Sequence, residues 1–148
     1  MSTLSGTTLP VPTDWAPFER ATKVLFECVL DDPNTQMHGR QGQPQNGVDI
    51  WGTRRKNQKL VGIQCKRFDE VLSAKALEDE VRKAHSFVPP IDEFVLATTA
   101  PRDAKIQKAA REITQKLKKT ARPITVSVWG WQDISEAAAR YGEAWDAL

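Results

Sequence analysis

Two short segments of the sequence carry residues that could hydrolyse a phosphodiester. Asp49 lies in the run Asn-Gly-Val-Asp-Ile-Trp at positions 46–51, and Gln64 and Lys66 lie in the run Ile-Gln-Cys-Lys at positions 63–66. A carboxylate is a hard oxygen ligand of the kind that Mg²⁺ prefers, and an ion bound there polarises a phosphate and lowers the pKa of a ligated water. A nearby lysine can stabilise the negative charge of the transition state. The pattern therefore indicates metal-assisted hydrolysis.

Two predicted strands would bring these side chains together. Successive side chains of a strand point to opposite faces, so we expect Val48 and Ile50 on one face and Asp49 on the other. By the same alternation, Gln64 and Lys66 share one face of the second strand. If the two strands form a hairpin, the apolar residues go inward and the three polar groups converge on one patch.

A second acid is expected from elsewhere in the chain, because one carboxylate and one neutral amide make a weak metal site. Glu19, on the first predicted helix, is the first candidate, and Glu27 is the second. Each fragment alone has an ordinary interpretation: an Asp beside a turn often caps a loop, and a Lys near a Gln is usually a solvated strand face. The order and spacing of the fragments together favour a catalytic site.

The elements around these residues alternate between helical and strand patterns, which predicts a mixed α/β domain. Residues 1–13 are rich in Ser, Thr and Pro, and we expect them to form a flexible lead-in to a single domain over residues 14–148. The predicted elements are a helix capped by Thr13 or Asp14 and ending at Asp32, strands over Gly47–Gly52 and Leu60–Lys66, a helix over Ser73–Phe87, a strand over Glu93–Thr98, a helix from Asp103 as its cap to about Lys118, a strand over Ile124–Trp129 and a helix over Trp131–Leu148.

Charge is distributed unevenly along the chain, although the net charge is only +2. Residues 102–122 contain eight basic and two acidic side chains, a balance of +6, whereas residues 133–148 contain four acidic and one basic, a balance of −3. Such asymmetry indicates a side that faces a polyanion. A solvated, lysine-rich helix face would look the same, and both interpretations stay open here.

Cysteine usage and hydropathy indicate the compartment. Cys28 and Cys65 have no metal-ligand spacing and do not make a disulfide framework. The N-terminus lacks a basic region followed by an apolar stretch, and no apolar run approaches the roughly 20 residues that span a bilayer. We therefore expect a protein of the reducing cytoplasm with no membrane partner.

The motif segments resemble a known group of nucleases. The run GRQGQPQNGVDI at positions 39–50, followed by GIQCK at positions 62–66, is similar to the N-terminal nuclease domains of the PD-(D/E)XK superfamily, in its Mrr-like restriction endonuclease branch. It is similar in particular to effector domains at the front of large bacterial anti-phage proteins, including antiviral STAND ATPases. The segment ATTAPRD at positions 97–103 and the early Phe18-Glu19 also resemble that group. The resemblance covers about residues 15–131.

The resemblance implies a restriction-endonuclease-like core of helix, three-stranded meander, helix and strand, followed by extra C-terminal elements. It implies a catalytic set of Asp49, Gln64, Lys66 and Glu19, in which Asp49, Gln64 and Glu19 hold Mg²⁺, with Mn²⁺ as a substitute. Gln64 departs from the superfamily pattern, which has Asp or Glu there, and this weakens the metal argument.

The expected function is hydrolysis of phosphodiester bonds in DNA, in duplex form rather than single strands, with little sequence readout. We expect an excised effector domain whose partners are DNA and further domains of a larger defence protein, with homo-oligomerisation left open. The alternative is a catalytically weak nucleic-acid-binding or interaction module that keeps the nuclease fold.

Further nucleic-acid contacts are expected from residues outside the motif strands. Gln43 and Gln45 precede the Asp49 strand and could contact the phosphate backbone, or could simply rigidify a Gly-rich loop. Lys105 and Lys108 of the third predicted helix could track phosphates without reading sequence. Arg102 could join them, or could be an ordinary charge beside a helix cap.

Overall fold

The computed structural model describes residues 9–11, 15–39, 47–67 and 72–147, and these form a sheet with helices on both faces. Gln43, Gln45, Thr13 and Asp14 therefore lie outside the described residues. The helices and strands are α1 (Trp15–Leu30), β1 (Gln36–Met37), β2 (Ile50–Arg54), β3 (Lys59–Lys66), α2 (Ala74–Ala84), β4 (Glu93–Thr98), α3 (Ala104–Leu117), β5 (Thr125–Trp129), α4 (Trp131–Ala138) and α5 (Gly142–Ala147).

The sheet has the strand order β1-β2-β3-β4-β5 within the described residues. β2 pairs antiparallel with both β1 and β3, and Ile50 of β2 lies opposite Ile63 of β3. β3, β4 and β5 run parallel, so that Lys66 lies beside Thr98. The structure confirms the predicted α/β class and the order of helix, three-stranded meander, helix and strand, followed by further C-terminal elements.

Two apolar clusters lie on the two faces of this sheet. α1, α4 and α5 cover the first face, and α2 and α3 cover the second. Alternation along β4 sends successive residues to different clusters: Val95 and Ala97 belong to the first, and Phe94 and Leu96 to the second. None of the described helices combines the length and apolarity needed to cross a membrane.

Side-chain caps begin the two helices of the second face. The Ser73 hydroxyl accepts a hydrogen bond from the Ala76 N–H at 3.1 Å. The Asp103 carboxylate accepts from the N–H groups of Lys105 and Ile106 at 2.8 and 3.2 Å, as its sequence position predicted. Each cap satisfies amide groups that have no partner within their own helix.

The C-terminal segment departs from the prediction of a single helix. α4 ends at Ala138, and the N–H groups of Arg140 and Tyr141 donate to carbonyls three residues earlier, those of Ala137 and Ala138. This tightened turn ends the helix. α5 then begins at Gly142, and Ala144 and Tyr141 pack on the first cluster. Gly142 disfavours a continuous helix at this point, and α5 packs against α1.

The strands also differ from the prediction near the site. β1 has only two residues, and the sequence there has no alternation of apolar and polar residues that would predict a strand. β2 begins at Ile50 and not at Gly47. At the N-terminal side, Leu9 of the predicted lead-in packs against the first cluster, and its carbonyl accepts a hydrogen bond from the Trp131 indole N–H.

Gly47 makes the turn that precedes Asp49, and we predict that Gly47→Ala destabilises the domain. Its φ is +72°, and an added Cβ would lie 2.6 Å from the Ala84 nitrogen and 2.7 Å from the Lys83 Cβ. The left-handed backbone alone costs a non-glycine residue about 1–3 kcal/mol, and the clash adds to this.

Gly142→Ala is the matched control for that change, because a Cβ at Gly142 meets nothing within 4 Å. Thermal melts of the two variants should show a lowered midpoint for Gly47→Ala and an unchanged or slightly raised one for Gly142→Ala. Equal midpoints would contradict the strain assigned to the turn.

Candidate active site

The chain enters the site through a turn that the sequence pattern did not predict. Val48 belongs to the second apolar cluster and Ile50 to the first, so the expectation that they share a face is wrong. The physical reason is that regular strand geometry starts only at Ile50: Gly47 has a left-handed backbone and Asp49 lies in a bend. Strand alternation therefore does not apply between Val48 and Ile50.

The Asp49 carboxylate is held by the backbone of β3. Its side chain is buried, and its Oδ2 accepts a hydrogen bond from the Cys65 N–H at 2.8 Å. The Asp49 N–H donates to the Ile63 carbonyl, also at 2.8 Å. Asp49 thus continues the β2–β3 pairing with one backbone and one side-chain group, which places its carboxylate beside Gln64.

His38 holds the other side of the same turn. Its backbone N–H donates to the Asp49 carbonyl at 2.7 Å, and its ring Nδ1 lies 2.9 Å from the Val48 carbonyl oxygen. A carbonyl only accepts, so Nδ1 carries the proton in this contact. The ring also meets Phe87 edge-on, with 4.8 Å between centroids. The backbone on both sides of Asp49 is therefore fixed by hydrogen bonds.

The environment of Asp49 disfavours its charge. Burial raises the pKa of the Asp49 carboxyl, and the nearby negative charge of Glu80 raises it further. The Cys65 N–H, Lys66 and His38 lower the pKa but do not cancel the effect. A bound cation would offset this penalty, which is a property expected of a metal ligand.

Glu80 is the acidic residue at this site that the sequence analysis missed. It is buried on α2, and its Oε2 lies 3.2 Å from the Lys66 Nζ and 3.7 Å from the Lys83 Nζ. A signal was present, because Glu80 lies in the apolar stripe of its helix with Leu77 and Ala84. An acid in such a stripe is rarely buried without a charged partner.

Two buried oxygens at the site accept no hydrogen bond from the described part of the chain: Oε1 of Gln64 and Oε1 of Glu80. Buried polar atoms normally have a partner. No group of three or more His, Cys, Asp or Glu side chains in the described ranges could hold a metal ion. The donor set of Asp49, Glu80 and the Gln64 amide nevertheless consists of hard oxygens, which fit Mg²⁺ or Mn²⁺ better than soft metals.

The two expected acids of α1 have different surroundings. Burial is the largest cause that raises the pKa of the Cys65 thiol, followed by the charges of Asp49 and Glu19. Glu19 therefore lies near Cys65, on the face of the sheet that α1 covers. Glu27 pairs with Lys23 at 3.2 Å. A metal-binding role of Glu19 stays a prediction.

The expected nucleic-acid contacts occupy different surroundings. Lys105 and Lys108 are exposed on α3. The Arg102 guanidinium bonds to the carboxylates of Asp133, at 2.8 Å, and Glu136. A phosphate contact by Arg102 would have to compete with both of these ion pairs, and its role stays a prediction.

Comparison with known proteins shows which fold this chain resembles. No protein-family model matches the sequence, and no curated protein shows significant similarity to it. Among solved structures, the chain is similar to the MspJI restriction endonuclease in complex with a 27-mer oligonucleotide, with a TM-score of 0.50 and 15% identity. The match covers 86% of this chain and 28% of that one, so this chain spans little more than a quarter of its length. The described residues therefore have a restriction-endonuclease-like fold.

We predict that Asp49→Asn raises the thermal stability of the domain in the presence of a chelator. A carboxyl whose pKa is raised by folding stabilises the fold below its unfolded pKa, near 3.8, and that contribution is lost as pH rises through the folded value. Asparagine keeps an acceptor for the Cys65 N–H without the buried charge.

The variant should therefore have a higher melting midpoint than wild type at about pH 8. The difference between the two midpoints should decrease as the pH falls towards about 4, because the wild-type carboxyl becomes protonated. Melting curves across this range measure the difference. A variant that melts below wild type at about pH 8 would show that the charge of Asp49 stabilises the chelated protein.

Proposed function

We propose that this chain is a divalent-metal-dependent endonuclease that hydrolyses phosphodiester bonds in DNA. The observation that carries the proposal is the juxtaposition of two buried carboxylates, Asp49 and Glu80, with the ammonium group of Lys66. Burying like charges together is costly and needs compensation. The restriction-endonuclease-like fold supports the same chemistry, because the similar protein is an endonuclease that was solved with an oligonucleotide.

Asp49, Glu80 and Gln64 would hold the metal ion, which we propose to be Mg²⁺ with Mn²⁺ as a substitute. When bound, the ion would polarise the phosphate and lower the pKa of a ligated water. The chain supplies the rigidity that this requires. The Cys65 N–H fixes the orientation of the Asp49 carboxylate, and the buried Gln64 amide oxygen accepts no hydrogen bond from the described residues.

Lys66 would stabilise the charge that develops on the scissile phosphate. Its side chain is two-thirds buried, at 33% exposure, and its ammonium group lies 3.2 Å from Glu80. A positive charge held in a partly desolvated site before the reaction acts mainly on the transition state. Lys66 therefore serves the rate of hydrolysis more than the affinity for uncut substrate.

The charge distribution favours a polynucleotide bound with little sequence readout, and we propose duplex DNA as the substrate. Lys105 and Lys108 are exposed on α3, in the segment with a balance of +6. Exposed lysines bind the phosphate backbone, which is the same for every sequence, and such binding is strongly salt-dependent.

The motif runs at positions 39–50 and 62–66 support a narrower assignment. We propose that the chain belongs to the Mrr-like branch of the PD-(D/E)XK nucleases and acts in the bacterial cytoplasm as the effector domain of an anti-phage defence protein. Further domains of that protein would be its partners.

The neutral Gln64 favours one rival, a nucleic-acid-binding module that keeps the fold but binds metal too weakly to cleave. Incubation of supercoiled plasmid with the purified chain separates the two. The proposal expects nicked and linear DNA with Mg²⁺ or Mn²⁺ and none with chelator. Intact plasmid in every metal, from a chain that retards the same DNA in a gel, would support the binding module.

We predict that Lys66→Ala lowers the single-turnover cleavage rate by about a hundredfold or more, the scale seen when one preorganised donor is removed. Affinity for uncut duplex, measured with Ca²⁺ in place of Mg²⁺, should change little, because one phosphate contact among several is a small part of binding. Lys66→Arg should not restore the rate, since a planar guanidinium does not reproduce a compact ammonium.

Lys59→Ala provides the matched control for Lys66→Ala, because Lys59 lies exposed at the other end of β3. It removes the same charge and should cleave at the wild-type rate. A Lys66→Ala variant that also cleaves at the wild-type rate would end the catalytic assignment of Lys66.

A further inference from the structure

One oxygen of Glu80 carries two positively charged neighbours. Its Oε2 lies 3.2 Å from the Lys66 Nζ and 3.7 Å from the Lys83 Nζ, whereas its Oε1 accepts no hydrogen bond within the described ranges. The two ammonium groups together carry the charge of one divalent cation. Lys66 has a role in the proposed reaction, but Lys83 has none so far.

The two lysines differ in how they approach the carboxylate. Lys66 rises from β3 beneath α2, and its side chain is 33% exposed. Lys83 lies one helical turn after Glu80, its side chain is 60% exposed, and its Cβ stands against Gly47 at the start of the Asp49 turn. Lys83 therefore lies on the solvent side of Glu80 and close to the Asp49 turn.

We infer that Lys83 is a substrate-binding residue that leaves Glu80 for a DNA phosphate beside the scissile one when Glu80 ligates a divalent cation. This inference rests on the proposed function and names a contact of the same site. An ion pair to so exposed an ammonium group is weak and exchanges readily. Once a cation neutralises Glu80, that carboxylate no longer attracts Lys83, whose ammonium group can then bind a phosphate of the DNA.

The salt dependence of binding reports such a contact directly. Each phosphate that a protein neutralises contributes about 0.9 to the slope of log affinity against log salt concentration on duplex DNA. Replacing a lysine that contacts one phosphate should therefore lower the slope by about that amount. A lysine with a merely structural role would leave the slope unchanged.

Lys83→Gln is compared with Arg82→Gln, which removes the same charge from the neighbouring position of α2. Arg82 is 72% exposed, pairs with Asp79 at 2.9 Å and lines the groove towards Ile113 of α3, away from Glu80. Affinity for a short fluorescent duplex is measured by anisotropy over a salt series, once with Ca²⁺ and once with chelator. Thermal melts confirm that both variants are folded.

With Ca²⁺, we expect the slope of Lys83→Gln to fall by about 0.9, Lys83→Arg to keep the wild-type slope, and Arg82→Gln to do the same. With chelator, the slope of Lys83→Gln should match that of wild type, because the lysine stays with Glu80. The inference is overturned if Lys83→Gln keeps the full slope with Ca²⁺, if Arg82→Gln lowers it equally, or if the loss is the same in chelator.

This measurement does not depend on cleavage, so it separates the inference from the proposed function. A chain that shows the expected slopes but leaves plasmid intact with Mg²⁺ and Mn²⁺ would support the Lys83 contact and contradict the nuclease. A chain that cleaves plasmid while Lys83→Gln keeps the full slope would support the nuclease and contradict the Lys83 contact.

Discussion

The hydrogen bond from the Cys65 N–H to the Asp49 carboxylate is the interaction on which the site depends. It replaces a backbone pair between β2 and β3 at the point where the chain turns at Gly47. The turn is possible because a glycine there avoids the contact that a Cβ would make with α2. As a result, a buried carboxylate lies beside the end of β3, the central strand of the described sheet.

The buried charges of this arrangement lower the stability of the fold, but they favour the binding of a cation. Burial raises the pKa of Asp49, and Glu80 adds a second buried negative charge nearby. The lysines at positions 66 and 83 compensate Glu80 on one oxygen and leave the other without a partner in the described residues. Such a site is costly for a protein that only needs to fold, and it is useful for one that binds a cation and then a phosphate.

Local patterns predict most of the fold but only part of the site. The apolar run Glu93–Thr98 is β4 with the same bounds, and Asp103 caps α3, because both signals are contained in a few consecutive residues. The two-residue β1 exists only through its pairing with β2, which leaves no local signature in the sequence.

The site shows the same division between local and distant signals. Gln64 and Lys66 share a strand face, as alternation predicts. Alternation does not apply before Ile50, because Asp49 lies in a bend and not in a strand. Glu80 is recognisable in the sequence as an acid on an apolar helix face. Which sheet residues it meets is set by the packing of α2 over β3, and a single sequence does not contain that information.

The identity of the second acid is the central claim, and manganese binding tests it most directly. Titration of the protein with Mn²⁺, followed by the loss of the free-ion electron paramagnetic resonance signal, compares wild type with Glu80→Gln and Glu19→Gln. If Asp49 and Glu80 hold the ion, Glu80→Gln should lose about tenfold or more in affinity, because the charge of the ligand set governs the binding of hard cations. Glu19→Gln should bind as wild type does. Normal binding by Glu80→Gln together with lost binding by Glu19→Gln would contradict the account and return the metal site to α1.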